Sequence, residues 1–289
     1  MVAVSAAPKI FDRALYARRR ARGDRMSADR FLVNEAASGL ADRLAAVRRR
    51  FTRGLELSWR LESANLVAPF AEHWTGTTLY PAEGLELVAD EEALPFAPES
   101  FDLVMSVLSL HAVNDLPGAL VQIRRILKPD GLFLAALFGG ETLKELRASF
   151  SAGELEITGG ISPRVAPFAD VRALGGLLQR AGFALPVTDS ERTTVHYGEF
   201  KTMADDLRAL GEANAMTERS KRLLRRDVLA AMLSHYASGH SDAAGKLVAT
   251  FDIAYLTGWA PNESQQKPLR PGSAAARLAD ALGTKEEGL

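Results

Sequence analysis

Residues 88–96 read Val-Ala-Asp-Glu-Glu-Ala-Leu-Pro-Phe, and residues 101–111 read Phe-Asp-Leu-Val-Met-Ser-Val-Leu-Ser-Leu-His. The first run has the pattern of a strand that ends in acidic residues. The second has the pattern of a buried strand that opens into a polar turn from Ser109 to His111. Ligands of open α/β sheets bind outside the carboxyl ends of parallel strands. The two runs therefore predict a ligand site with Asp90 at its edge.

Strand patterns and helix patterns alternate around these two runs. We predict strands at 55–59, 77–80, 85–89, 103–108, 132–138, 183–188, 192–197 and 248–259, and helices at 61–73, 116–127, 143–150, 168–181, 200–210 and 224–237. The helix at 116 is expected to begin at Asn114 or Asp115, with Pro117 in its first turn. Alternation of strands and helices predicts a parallel sheet with right-handed crossovers, and the late strands predict an antiparallel edge.

Composition limits the class of protein. A length of 289 residues fits one large α/β domain with an insert, and a net charge of −1 gives no overall field for nucleic acid. Cysteine is absent, which excludes disulfides, a cysteine nucleophile and thiolate metal sites. No apolar run approaches the roughly 20 residues that span a bilayer. We therefore expect a cytoplasmic protein.

The basic residues are concentrated between Lys9 and Arg53, where two helices are predicted. Such a run usually forms a solvated helix face. A docking surface for an acidic protein, or a peripheral contact with a membrane, is the alternative interpretation. An organelle presequence is less favoured because acidic residues such as Asp12 and Asp24 are interleaved. Aromatic residues are not interleaved with these basic residues, so a nucleic-acid partner is not expected.

Several motifs resemble those of class I S-adenosylmethionine (SAM) methyltransferases. They are the acidic run at 88–96, the strand that begins Phe-Asp-Leu-Val at 101, and the turn Leu-Lys-Pro-Asp-Gly at 127–131. Other stretches, such as Ile-Phe-Asp-Arg at 10–13, Gly-Glu-Ala-Asn at 211–214 and Gly-Trp-Ala-Pro-Asn-Glu-Ser-Gln-Gln at 258–266, are similar to malonyl-acyl-carrier-protein methyltransferases. They are closer still to the related assembly factors of respiratory complex I.

The resemblance implies a Rossmann-like, seven-stranded α/β sheet with flanking helices. It divides the chain into a basic helical segment (1–50), a methyltransferase-like core (51–198), a helical insert (199–245) and a last strand with a polar tail (246–289). The implied activity is methyl transfer from SAM, or arginine hydroxylation, on a protein substrate such as a complex I subunit.

The resemblance also implies roles for individual residues. SAM would contact Glu56, Ser58, Asp90, Glu91 and Ser106, and His111 would face the substrate as a general base or orienting group. The other interpretation of His111 is a packing residue. No metal site is expected, because side chains alternate along a strand and the carboxylates of residues 90–92 cannot all face one ion.

The chain departs from the family in its glycine-rich loop. Ser58, Arg60 and Glu62 stand at the three glycine positions, where the family backbone approaches the ligand without a Cβ. A left-handed backbone costs a non-glycine residue about 1 kcal/mol or more. The second strand also lacks the acid that usually binds the ribose, since Glu83 is the only acid between Trp74 and the next strand.

Two functions are therefore compatible with the sequence. In the first, SAM binds through Glu56, Asp90 and a rebuilt loop, and the protein is an enzyme. In the second, the fold has lost its cofactor and serves as a non-catalytic assembly or binding factor. We expect the enzyme interpretation to fail if Asp90 faces bulk water and Trp59 or Arg60 fills the space beside it.

Overall fold

A computed structural model of the chain describes residues 9–26, 28–58, 60–82 and 87–266. The strands are β1 (Phe51–Leu57), β2 (Ala71–Gly76), β3 (Phe101–Val107), β4 (Leu127–Phe138), β5 (Ala184–Tyr197) and β6 (Leu247–Trp259). The helices are α1 (Arg13–Gly23), α2 (Phe31–Ala45), α3 (Leu61–Val67), α4 (Leu116–Ile126), α5 (Lys144–Thr158), α6 (Val171–Arg180), α7 (Phe200–Ala209) and α8 (Arg226–Gly239). Trp59 and Glu83 lie outside the described residues.

The strands form one sheet in the order β2-β1-β3-β4-β6-β5. β1 to β4 run parallel, and β6 lies antiparallel between β4 and β5. The parallel α/β sheet with an antiparallel edge is confirmed. The number of strands was wrong, because the sheet has six strands over the described residues rather than seven. Part of the predicted strand at 85–89 lies outside them, and its described residues make only an isolated parallel bridge between Thr78 and Val88.

The segment between β1 and β3 differs most from the prediction. The helix expected to reach residue 73 ends at Val67, because Pro69 lies in the short 3-10 turn that follows. The second strand therefore occupies Ala71–Gly76, ahead of its predicted position at 77–80. This strand pairs with β1 as the fold requires, so the topology survives the shift.

Other elements keep their predicted order with altered ends. Asp115 caps α4 by accepting a hydrogen bond from the Gly118 amide at 2.9 Å, as expected. α5 runs on to Thr158 through Gly153, whose added Cβ would lie 2.6 Å from the Met232 amide nitrogen of α8. β5 is a single strand rather than two pieces. The division into four sequence segments stays a prediction.

Apolar helix faces cover both sides of the sheet. α2 and α8 pack on one face through residues such as Leu40 and Tyr236, and α4 and α6 pack on the other through Ile123 and Leu178. A smaller cluster attaches α1 beside the sheet: Phe11, Tyr16, Ala112, Ala215 and Met216. Among the described residues, no helix is long and apolar enough to cross a membrane.

α1 also docks closely on the segment that follows α7. A Cβ added to Gly23 would lie 2.5 Å from the carbonyl oxygen of Ala209, and a Cβ added to Gly211 would lie 2.8 Å from the Cα of Arg20. Gly211 has a φ of +80°, which favours glycine at this position. Two glycines therefore bring α1 into backbone contact with the end of α7 and the residues that follow it.

We expect Gly23→Ala to lower the free energy of unfolding by about 1–3 kcal/mol, because the new Cβ forces two backbone segments apart. Urea denaturation measures the change. Gly176→Ala in α6 is the matched control, since nothing lies within 4 Å of its added Cβ. That control should be neutral or stabilising by about 0.5–1 kcal/mol. Equal effects of the two substitutions would show that α1 is not tightly docked.

Candidate functional site

The chain places β2 on one side of β1 and then crosses to place β3 on the other side, so the strand order reverses at β1. Open α/β sheets bind ligands in the crevice that this reversal leaves at the carboxyl ends of the strands. Here the crevice lies between Ser58, which follows β1, and Leu108, which follows β3. Both residues have a positive φ, +60° and +47°. Ser58 thus keeps a glycine-like backbone conformation without being glycine.

Arg20 of α1 fills this crevice. One guanidinium nitrogen, Nη1, donates to the carbonyl oxygen of Leu108 at 2.8 Å, and the other, Nη2, donates to the Ser58 hydroxyl at 3.0 Å. The Arg20 side chain is only 2% exposed. The guanidinium therefore joins the two strand ends between which the fold usually places a ligand.

Arg13, two turns earlier on α1, binds the acidic run. Its Nη2 donates to Asp90 Oδ1 at 2.7 Å and also to Glu91, while its Nη1 donates to the carbonyl oxygen of Ala112 at 3.0 Å. The Glu91 side chain is 2% exposed and also accepts from the Ser109 hydroxyl. Asp90 is 36% exposed. Asp90 is thus paired with an arginine rather than turned to bulk water.

The remaining predicted cofactor residues, Glu56 and Ser106, are buried. The Glu56 carboxylate is fully buried and accepts from the Ser63 hydroxyl. Ser106 is fully buried, and its hydroxyl has no hydrogen-bond partner among the described residues. Arg60 is 3% exposed and donates to the Leu210 carbonyl oxygen at 2.8 Å. Its burial next to Arg20 lowers the pKa of the Arg60 guanidinium to about 10.

These residues do not fit SAM as they are arranged. Ser58, Asp90 and Glu91 already hold arginine side chains, and Glu56 holds Ser63. β2 ends at Gly76, and the described residues that follow it, 77–82, contain no acid that could accept from a ribose. Arg60 is buried near Arg20 and binds the Leu210 carbonyl oxygen, and Asp90 is paired with Arg13. The combination that we expected to rule out the enzyme, a solvent-facing Asp90 with Trp59 or Arg60 in the space beside it, is therefore not present. The assignment of these residues to SAM stays a prediction.

A cavity of about 110 Å³ lies next to the filled crevice and contains His111. Aromatic and aliphatic side chains line most of it, and polar groups come from Tyr16, His111, Arg164, Glu212 and Asn214. His111 packs on Phe138 and Phe168, with ring centroids 4.8 and 5.6 Å away. The packing that one interpretation gave to His111 is therefore present, and its catalytic role stays a prediction.

Glu212 is the polar centre of this cavity. Its carboxylate accepts from the Tyr16 hydroxyl at 3.0 Å and lies 3.1 Å from His111 Nε2 and 3.5 Å from Arg20 Nη1. Burial works to raise the pKa of Glu212, but His111 and Arg20 outweigh burial and lower it. An ionised Glu212 can orient the His111 ring, whose Nδ1 has no partner among the described residues.

No role was predicted from the sequence for Arg13, Tyr16, Arg20 or Glu212. Arg13, Tyr16 and Arg20 share one face of α1, because Tyr16 and Arg20 lie three and seven residues after Arg13. That spacing was the available signal, but the basic run suggested a solvated face. The solvated interpretation holds for the exposed Arg18, Arg22 and Arg25 of the same segment. Over the described residues, no cluster of His, Asp and Glu could hold a metal ion.

Comparisons with known proteins agree with this architecture. A family model described as a methyltransferase domain matches residues 63–135. Among solved structures, a proposed methyltransferase of Bacillus halodurans has a TM-score of 0.53 at 14% identity, over 78% of this chain and 99% of that one. The YcgJ protein of Bacillus subtilis has a TM-score of 0.52 at 15% identity, over 79% and 99%. The fold is thus that of the class I SAM methyltransferase-like proteins.

Curated relatives are more similar in sequence. The chain is 39% identical over 262 residues to the mitochondrial arginine-hydroxylase NDUFAF5 of Danio rerio. The aligned region covers 86% of this chain and 81% of the relative. The human protein of that name is 39% identical over 265 residues, 86% and 76% of the two chains. A malonyl-[acyl-carrier protein] O-methyltransferase of Gallionella capsiferriformans is 37% identical over 179 residues, 61% and 58%. The chain belongs to the NDUFAF5 family of methyltransferase-like proteins.

The pKa of Glu56 tests whether water reaches the buried side chains beside the filled crevice. Burial raises the pKa of Glu56 from its usual 4.5 to about 8, against smaller opposing effects of Ser63 and Arg60. The folded protein then holds a proton that the unfolded chain releases across this interval, so stability falls as the pH rises from 4.5 to about 8.

We expect Glu56→Gln to remove this loss and to be more stable than the wild type at pH 8, by an amount on the order of a few kcal/mol. At pH 4.5 the two proteins should be similar. Urea midpoints at the two pH values measure the difference, with exposed Glu72→Gln as control. An unchanged pH dependence in Glu56→Gln would mean that water reaches the Glu56 carboxylate.

Proposed function

We propose that this chain is a methyltransferase-like assembly factor for respiratory complex I that acts by binding a protein client, without turnover of SAM. The observation that carries this proposal is the Arg20 guanidinium between Ser58 and Leu108, in the space that a SAM-dependent enzyme keeps for its cofactor. The link to complex I comes from the resemblance of the chain to assembly factors of that complex.

The physical support is the cost of emptying the crevice. Arg13 and Arg20 would have to leave buried acceptors, and breaking a buried ion pair costs about 3–5 kcal/mol when one partner is left without compensation. SAM would also have to meet these acceptors with its amine, ammonium and hydroxyl groups in place of two guanidiniums. A protein client needs none of this rearrangement, because it can bind the outer surface of the fold.

A SAM-dependent enzyme that modifies a protein is the second candidate. It is favoured by the identity to proteins named arginine hydroxylases and by the cavity with His111 and Glu212 beside the crevice. In that case His111 would face the substrate, and α1 would have to withdraw to admit SAM. The cytoplasmic location stays a prediction beside both candidates, and the curated relatives named above as NDUFAF5 are called mitochondrial.

Isothermal titration of the purified chain with SAM separates the two candidates. We expect no detectable heat at high micromolar SAM, because the acceptors of the crevice are already occupied. The Gallionella malonyl-[acyl-carrier protein] O-methyltransferase, titrated under the same conditions, controls for the quality of the ligand. Saturable binding of SAM to the wild-type chain would overturn the non-catalytic proposal and favour the enzyme.

The client is identified by affinity capture of the tagged full chain from its native cell. We expect enrichment of complex I subunits over a capture with an unrelated tagged protein, and a Glu56→Gln chain should capture the same subunits, because its change is buried. Absence of any complex I subunit from both captures would reject the assembly role while leaving the result of the SAM titration unaffected.

A further inference from the structure

We infer that the crevice has become a guanidinium-binding site, and that Arg13 and Arg20 are its ligands, supplied by the chain itself. This goes beyond the proposed function, because it states what the crevice binds and does not depend on the client. Two arginines of one helix reach separate sets of acceptors: Arg20 binds residues that follow β1 and β3, and Arg13 binds the acidic run and the turn after β3.

The Arg20 guanidinium binds two acceptors through two different nitrogens. Nη1 and Nη2 donate to different acceptors, a carbonyl oxygen after β3 and a hydroxyl after β1, so one planar group joins two strands. Glu212 lies 3.5 Å from Nη1 and supplies an opposite charge. An ammonium group carries all its donors on one nitrogen, so it does not present two nitrogens in a fixed plane to two acceptors.

The backbone at both acceptors is shaped for this contact. Ser58 and Leu108 have left-handed φ values of +60° and +47°, although neither is glycine. Such conformations are unfavourable for residues with a side chain and persist where the surroundings compensate for them. The two residues that hold the Arg20 guanidinium are also the two strained residues at the strand ends, which indicates that the contact maintains the strained backbone.

Arg13 repeats this arrangement at the edge of the site. Nη1 donates to the Ala112 carbonyl oxygen, while Nη2 contacts the carboxylates of Asp90 and Glu91. The Arg13 side chain is 11% exposed and lines an open groove of about 480 Å³ together with Asp90 and Glu92. A small cation can therefore reach this part of the site from solvent, whereas the Arg20 part is enclosed.

If the acceptors form a guanidinium site, a free guanidinium compound should replace the arginine side chain that a substitution removes. Arg13→Ala or Arg20→Ala removes Cγ, Cδ and the guanidinium, and ethylguanidinium contains the same atoms. Ethylammonium has the same charge without the two-pronged shape, so it is the matched control ligand. Arg18→Ala and Arg22→Ala change exposed arginines of the same helix and are the matched control variants.

The experiment measures thermal unfolding of the full chain with and without about 10 mM of each cation. We expect Arg20→Ala to lower the Tm by about 10 °C and Arg13→Ala by less, since a buried ionic group loses its partner in each. The control variants should change the Tm by about 1–2 °C at most. Ethylguanidinium should raise the Tm of Arg13→Ala by several degrees and leave the wild type unchanged.

Two outcomes would overturn the inference. One is an equal rise of the Tm with ethylammonium, which would show a site for positive charge alone. The other is no response of Arg13→Ala to ethylguanidinium, which would show that the acceptors do not form a site without the rest of the arginine side chain. If Arg20→Ala does not fold, Arg20→Lys replaces it, and a Tm equal to that of the wild type would contradict the need for a two-pronged group.

Failure of the guanidinium-site inference can be distinguished from failure of the proposed non-catalytic role. If wild-type SAM binding were detected, the non-catalytic role would be rejected, but rescue of Arg13→Ala by ethylguanidinium would still establish the binding site. If rescue were absent while SAM also failed to bind, the guanidinium site would be rejected and the assembly role would remain.

Discussion

The Arg20 guanidinium lies between the carboxyl ends of β1 and β3 and satisfies acceptors on both. A buried charge is stable only when it is paired or fully hydrogen-bonded, so the surrounding structure has to supply those partners. Glu212 approaches Arg20 and also binds Tyr16 and His111, which couples the insert after α7 to α1. The glycine contacts at Gly23 and Gly211 hold α1 close enough for these bonds to form.

The residues at the glycine positions and the arginines of α1 are compatible with each other. Ser58 at the first glycine position keeps the left-handed turn and offers a hydroxyl to Arg20. Arg60 at the second is buried against Leu210. Groups that would obstruct SAM therefore stabilise the folded chain. A fold can keep its topology while its site changes chemistry, because topology depends on the core and the site on a few polar residues.

The sequence predicted those parts of the fold that depend on local pattern. β3 and β6 were located closely, since long buried strands have a strong apolar signal, and the N-cap of α4 followed from Asp115 and Pro117. The shift of β2 could not be predicted because the end of α3 depends on how Pro69 turns the chain before a weakly apolar strand.

The inward arginines could not be predicted for a different reason. Arg20 meets partners 38 and 88 residues away, and its helical spacing from Tyr16 is a weak local signal for separating it from the exposed Arg18. Asp90 was predicted to bind a ligand, but in the structure it binds Arg13 of α1, which lies 77 residues earlier in the chain. Acidic and basic partners of a buried site can be recognised only when the fold brings them together.

A crystal structure of the full chain grown with millimolar SAM would test the central claim most directly. We expect density for Arg20 between the Ser58 hydroxyl and the Leu108 carbonyl, with Arg13 on Asp90 and no nucleoside beside it. Adenosine density next to Asp90, with α1 withdrawn from the strand ends, would contradict the account.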